Sequence, residues 1–261
     1  MTPTTEHAKY CPLLVDDSHQ KTHMKSQDIV VLFKLISLEL QAESERVKKQ
    51  EFAVMNDLEA AIANTIPTRE MRSSYLQEFR PSEKIVLSGS HEWKGWEDSD
   101  EASIAVNAES YSVRALSAAL GLSKSEISNS LNRCKDIGLV HTDRQNGLPT
   151  VRSEALLDLV KYAVRYIFPA KLGPIVRGIP TAFAAPIMEG KVMSAGDLIP
   201  VWPDAHGKKK GQEVVPLFKT VPGAVKKDEL LYHFLALVDA IRIGNPHEAK
   251  VADSMLREWI L

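Results

Sequence analysis

Eight of the chain's 14 prolines fall in one stretch, at Pro169, Pro174, Pro180, Pro186, Pro200, Pro203, Pro216 and Pro222. Proline has no backbone N–H to give and its ring collides with the preceding helical turn, so no long helix crosses this region. The spacing predicts an extended, wrapped segment with short elements over 168–224. Long helices are thereby confined to the two flanks, and both flanks carry helical patterns.

On the C-terminal flank, "DELLYHFLALVDAIRI" at 228–243 is strongly apolar, and "PHEAKVADSMLREWIL" at 246–261 follows a Gly244-Asn245-Pro246 turn. The two predict a helical hairpin. On the N-terminal flank, residues 28–40 are apolar nearly all round, which suits a buried helix. Residues 42–65 carry helix formers with Val47, Phe52, Val54, Met55, Leu58 and Ile62, an amphipathic helix that can run on from the first until Pro67 ends it. Residues 1–23 are polar and without periodicity and read as a disordered arm, with Met24 as an alternative start. A short helix is expected near 69–79. An acidic Gly/Ser loop follows at 88–103, with Trp93 and Trp96 as its large anchors, expected to be pinned on their own domain.

With 44% hydrophobic and 25% charged residues the chain has the make-up of a globular protein. It has no apolar run of about 18 residues and no secretory pattern at its start, so neither a membrane span nor export is expected. Cys11 and Cys134 suggest no disulfide framework, and a cytoplasmic location fits. The net charge of −2 hides a polarised distribution: 41–110 is acidic and 111–177 is basic. Local charge governs a partner's attraction more than the total does.

The basic segment holds the most informative order of elements. "YSVRALSAAL" at 111–120 reads as a short helix with Ser112 as N-cap, and Gly121 as its left-handed C-terminal residue. Ser123 and Glu126 have capping-box spacing for a second helix, which runs to about Asp136 and stops at Gly138. Asn146-Gly147 lies between "LVHTDRQ" and "LPTVR", so 138–152 reads as a β-hairpin. An amphipathic helix over 153–167 follows, with Leu156, Leu157, Leu159, Val160, Ala163, Val164 and Ile167 inward.

In the second helix Ile127, Leu131, Ile137 and Cys134 have the spacing of core residues. Ser123, Lys124, Ser125, Ser128, Asn129, Asn132 and Arg133 are left outward. These side chains suit DNA: Asn pairs bidentately with adenine, Arg with guanine, and Ser reaches base or phosphate. Arg144 and Arg152 on the hairpin can reach the DNA backbone or minor groove. Helix, glycine turn, helix and hairpin together resemble the winged helix-turn-helix of MarR-like bacterial transcription regulators, carried by "YSVRALSAALGLSKSEISNSLNRCKDIGLV".

The whole chain looks like a group of bacterial helix-turn-helix proteins with a C-terminal extension. It departs from a simple MarR-like protein in the acidic insert at about 41–109 and in the tail 168–261. The resemblance implies a mainly α fold: a winged helix-turn-helix domain over 24–167 with a small β-hairpin wing, and a helical or irregular extension over 168–261. It implies a sequence-specific, double-stranded-DNA-binding transcription regulator, acting as a homodimer through 28–62 or 228–261, with autoregulation as its simplest use. The alternative is an interaction module, such as an antitoxin, that binds a partner protein through the winged helix or the extension.

Chemistry of other kinds has little support. No phosphate-binding glycine loop, CxxC or HExxH occurs, so no enzyme, cofactor or metal site is expected. His19 and His23 have i,i+4 spacing but fall in the polar arm without a third ligand. His141 reads as a solvated hairpin residue, His233 as core or surface, Asp239 and Arg242 as a structural i,i+3 ion pair, and Lys208–Lys210 as a solvated basic loop. The segments Arg177–Pro180 and Val201–Pro203 read as packed turns.

Overall fold

The computed structural model describes residues 23–65, 95–96, 106–192 and 198–261. Most of the arm 1–23, His19, the expected helix near 69–79 and Trp93 lie outside these residues. The chain is mainly helical with a small amount of sheet.

The first helix, α1, runs Ser26–Thr65 without a break. No glycine or proline interrupts the two expected segments, so they join. Asp28 in its first turn accepts the Lys25 backbone N–H at 2.7 Å. From Ile29 to Leu38 every residue is buried, Lys34 and Ser37 included. Beyond Leu40 the helix emerges, and Val47, Phe52 and Val54 are exposed.

Two short helices follow a 3₁₀ turn at Ala108–Tyr111: α2 (Val113–Leu120) and α3 (Lys124–Asp136). A hairpin comes next, β1 (Val140–Thr142) antiparallel to β2 (Pro149–Val151), with Val140 opposite Val151 and Thr142 opposite Pro149. The hairpin is present as read, but its turn is not the two-residue kind that Asn-Gly suggests. Gly147 alone takes a positive φ, and the loop closes through Gly147 N–H to Asp143 C=O at 3.0 Å and Leu148 N–H to the Asn146 side chain at 2.8 Å.

The expected single helix over 153–167 is two: α4 (Ser153–Tyr162) and α5 (Val164–Ile167), offset at Ala163. Leu156, Leu157, Val160 and Val164 are buried, whereas Ile167 points outward at 51% exposure, contrary to its expected place in the core.

The proline-rich region is more regular than its composition suggests. It forms three strands, β3 (Leu172–Pro180), β4 (Pro200–Pro203) and β5 (Lys209–Val214). They close on themselves: β3 runs antiparallel to both others, and β4 runs parallel to β5. Prolines sit at strand ends, where a missing donor costs little, and Pro174 lies where the β3–β5 register shifts. Closure needs backbones in contact. A Cβ on Gly178 would lie 2.0 Å from the Trp202 carbonyl oxygen, and one on Gly211 equally close to that of Ile199. Lys209 and Lys210 belong to β5 rather than to a loop, and both are exposed.

After a short α6 (Val221–Val225), α7 (Glu229–Ile243) and α8 (Pro246–Ile260) form the expected hairpin. Asn245 and Glu248 cap α8 reciprocally. Every residue of α7 from Leu230 to Arg242 is buried, so α7 is the central post of the fold. Of the 228–261 hairpin expected to offer a dimer contact, α7 is thus buried, and exposed residues remain on α8.

Buried polar groups lock the helices to this post. Asp228 caps α7 by accepting the Leu231 N–H, and it also accepts Lys34 Nζ at 2.7 Å and the Ser37 hydroxyl from α1. Asp239 accepts Trp202 Nε1 at 2.6 Å, the Thr181 hydroxyl at 3.1 Å and Arg242 at 2.5 Å, the ion pair expected from its spacing. Trp96 is buried edge-on against the Tyr232 ring and bridges Gly207, so this tryptophan is pinned on its own fold, against the 168–261 portion. One hydrophobic cluster runs through residues of both the 24–167 and the 168–261 portions.

Candidate nucleic-acid interface

The surface around α3 is built from local signals. Ser112 caps α2 by accepting the Ala115 N–H at 3.2 Å. Gly121 ends α2 at φ 65°, a left-handed conformation that favours glycine. Leu122 is buried, and the Ser117 hydroxyl donates to its carbonyl at 2.6 Å, which tightens the turn. The Ser123 hydroxyl accepts the Glu126 N–H at 3.2 Å while Glu126 accepts the Ser123 N–H at 2.9 Å, the reciprocal box expected from spacing.

With that start fixed, α3 buries Ile127, Ser130 and Cys134, at intervals of three and four residues, and half-buries Leu131. Ile137, expected in the core, is instead 42% exposed, because the helix has ended there and Gly138 turns the chain at φ 77°. Burial pushes the Cys134 thiol up to about 12, so it stays protonated.

The opposite face is open. Lys124, Ser125, Ser128, Asn129 and Asn132 are all exposed. Among the described residues the Ser128, Asn129 and Asn132 side chains make no hydrogen bond within the fold. Ser123 is exposed but spends its hydroxyl on the cap, within 3.1 Å of the Ser125 hydroxyl.

Arg133 is a correction. It was expected in the outward row, but its guanidinium turns back to α1 and grips Asp28, Nε at 3.0 Å and Nη2 at 2.5 Å from the two carboxylate oxygens. The Asp28 side chain is wholly buried and that of Arg133 is 12% exposed. A guanidinium held bidentately by a buried carboxylate is not available to a guanine edge.

On the hairpin Arg144 and Arg152 are exposed. They line an open hollow of about 550 Å³ together with His141, Thr142, Asp143 and Gln145. His141 is exposed, as expected of a solvated hairpin residue. On the α1 side the hairpin meets acid. The Glu39 carboxyl is raised by partial burial, then by Glu43, and Asp143 adds to the effect while His141 opposes it.

Two cations of this surface have no local sequence signal. The Glu126 carboxyl is held below its usual range first by its hydrogen bonds to Ser123, and then by the charges of Lys219 and Lys25. Lys25 precedes α1 and is carried beside α3 by the Asp28–Arg133 pair. Lys219 precedes Thr220, whose side chain lies 3.4 Å from where a Cβ on Gly121 would sit. Both lysines are exposed. They come from segments far apart in the chain, so only the fold brings them to the start of α3.

Among the described residues no group of His, Cys, Asp or Glu could hold a metal ion, and no helix is long and apolar enough to cross a membrane. Comparison with protein-family models, with curated proteins and with solved structures found no match to this chain.

Proposed function

We propose that the chain is a sequence-specific binder of double-stranded DNA that acts as a cytoplasmic transcription regulator. In this reading α2, α3 and the β1–β2 hairpin form a winged helix-turn-helix of MarR-like type, with α3 in the major groove. The observation that carries it is the row Lys124, Ser125, Ser128, Asn129 and Asn132, exposed on a helix whose other face is buried. Asn129 and Asn132 supply paired donors and acceptors for adenine edges. Lys124, with Lys25 and Lys219 near the same helix end, favours phosphate there, and Arg144 and Arg152 extend backbone contact along the wing.

Such a protein reads two half-sites about one helical turn apart as a homodimer. A fragment upstream of its own gene is the first operator to test. Selection from a random duplex library by the full-length protein should enrich a near-palindromic motif, and Asn129→Ala/Asn132→Ala should abolish the enrichment. Enrichment that survives in the variant would remove α3 from the reading.

A second reading, a protein-docking module such as an antitoxin, has its own observation. Tyr166 and Ile167 at the end of α5 and Leu172 and Ile175 in the first half of β3 are all large and exposed. Salt separates the two. Binding through several phosphates weakens steeply as salt rises, whereas an apolar protein contact does not.

A further inference from the structure

The even charge of the C-terminal third hides a second basic block. Over 168–227 nine Lys and Arg stand against four Asp and Glu, whereas 228–261 carries three against six. The excess therefore belongs to the stretch that forms the closed sheet and α6, not to the α7–α8 hairpin.

The fold sets this charge in line with the start of α3. Lys219 already stands there, with the Thr220 side chain 3.4 Å from where a Cβ on Gly121 would sit. From that point α6 packs on α2 and carries the chain on to Lys226 and Lys227, about 10 Å at 1.5 Å per residue. Lys226 Nζ is spent on the Asp204 carboxylate at 2.7 Å. Asp204 opens the turn between β4 and β5: its N–H donates to the Arg177 C=O at 3.2 Å, and its C=O accepts the Gly207 N–H at 3.2 Å. The ion pair thus ties the end of α6 to the turn that leads into Lys208, Lys209 and Lys210.

These lysines keep their charge open. Lys208, Lys209, Lys210, Lys219 and Lys227 are all exposed, and among the described residues none of them is in an ion pair. Gly95 and Trp96 run antiparallel past Lys208 and Gly207, away from Lys209 and Lys210. A line of unpaired cations repels itself and draws a partner of opposite sign. A duplex offers one negative charge per about 1.7 Å of its axis, so a groove-bound helix leaves phosphates for cations beside it.

We infer that Lys227 with Lys208, Lys209 and Lys210 forms a sequence-independent contact to the phosphate backbone of the duplex that α3 enters. The inference takes its partner from the DNA reading and adds that the 168–261 portion supplies affinity without selectivity.

The test is fluorescence anisotropy of the full-length protein over a salt series, on a duplex it has selected and on a random one. Lys208→Gln/Lys209→Gln/Lys210→Gln/Lys227→Gln should weaken binding to both duplexes by the same factor. It should flatten the slope of log affinity against log salt by about two, at roughly 0.9 per phosphate contact. Fewer than four contacts are expected because Lys209 and Lys210 point to opposite faces of β5. Lys227→Gln alone should flatten the slope by about one. Preference for the selected duplex should not change in either variant, whereas Asn129→Ala/Asn132→Ala should lose the preference and keep the slope. A wild-type slope in the quadruple variant, or in Lys227→Gln should the quadruple variant fail to fold, overturns the inference and leaves the role of α3 standing. That result is expected if an acidic protein, or the chain's own acidic run at 97–101, takes these lysines. A wild type without preference, whose slope on random duplex still depends on the lysines, removes the sequence reading and leaves this contact in place. A wild type that binds no duplex overturns both.

Discussion

Arg133 holds Asp28 in a two-pronged ion pair that ties α3 to the first turn of α1. The two residues lie 105 positions apart, and the carboxylate has no exposure. This contact sets the position of α3 on the body of the protein, and it turns an arginine that suits DNA into a structural brace.

Arg133→Ala should therefore act on stability before it acts on binding. Breaking a buried pair by removing one partner typically costs about 3–5 kcal/mol, because the other charge is left uncompensated. Urea unfolding should show a loss of that order. Asp28→Asn/Arg133→Met, which leaves no stranded charge, should recover part of it. If Arg133→Ala is as stable as the wild type, the brace is not what holds α3.

Asn129→Ala/Asn132→Ala should behave in the opposite way. Both side chains are exposed, so stability should stay within about 0.5 kcal/mol. Discrimination between the preferred duplex and a scrambled one should fall by about 1–3 kcal/mol per lost bidentate contact. Parallel thermal melts and competition titrations separate the two effects.

His233 makes acid stability testable. Burial lowers its imidazole from 6.5 to about 4 in the folded chain, while Asp228 pulls weakly the other way. The unfolded chain therefore takes up the proton first. The contribution of the neutral ring is complete above about pH 6.5 and is lost as pH falls from there towards 4, by up to about 3 kcal/mol. The groups facing it include Asp228 and the rings of Tyr232 and Trp259. His233→Phe should flatten the stability profile between pH 4 and 6.5. An unchanged slope would mean that other groups set acid unfolding.

Cys134 should be inert. Its thiol is buried and pushed up to about 12, so a thiol reagent should label it only as the protein unfolds. Rapid labelling of Cys134 under native conditions, read by mass spectrometry, would show that α3 opens.

Much of the candidate site was legible because its signals are local. Ser123 and Glu126, Gly121, and the buried interval from Ile127 to Cys134 each rest on neighbours within one or two turns. The same holds for α7, whose apolar run leaves no choice but burial. What escaped depends on distant partners. Nothing near Arg133 signals Asp28, and nothing near Lys219 signals Gly121. The closed β3–β5 sheet was hidden by its prolines, which mark strand ends as readily as loops, and by Gly178 and Gly211, whose need for contact appears only when β4 is in place. Ile137 was assigned inward by periodicity, but periodicity ceases with the helix that carries it.

The most direct test of the central claim is fluorescence anisotropy on a labelled duplex from upstream of the chain's own gene. It should be run with excess random competitor, for the wild type and for Asn129→Ala/Asn132→Ala. Competitor-resistant binding by the wild type, lost in the variant while its melting temperature is unchanged, is the expected result. Equal binding by both proteins, or binding that the competitor removes from both, would contradict a sequence-reading role for α3.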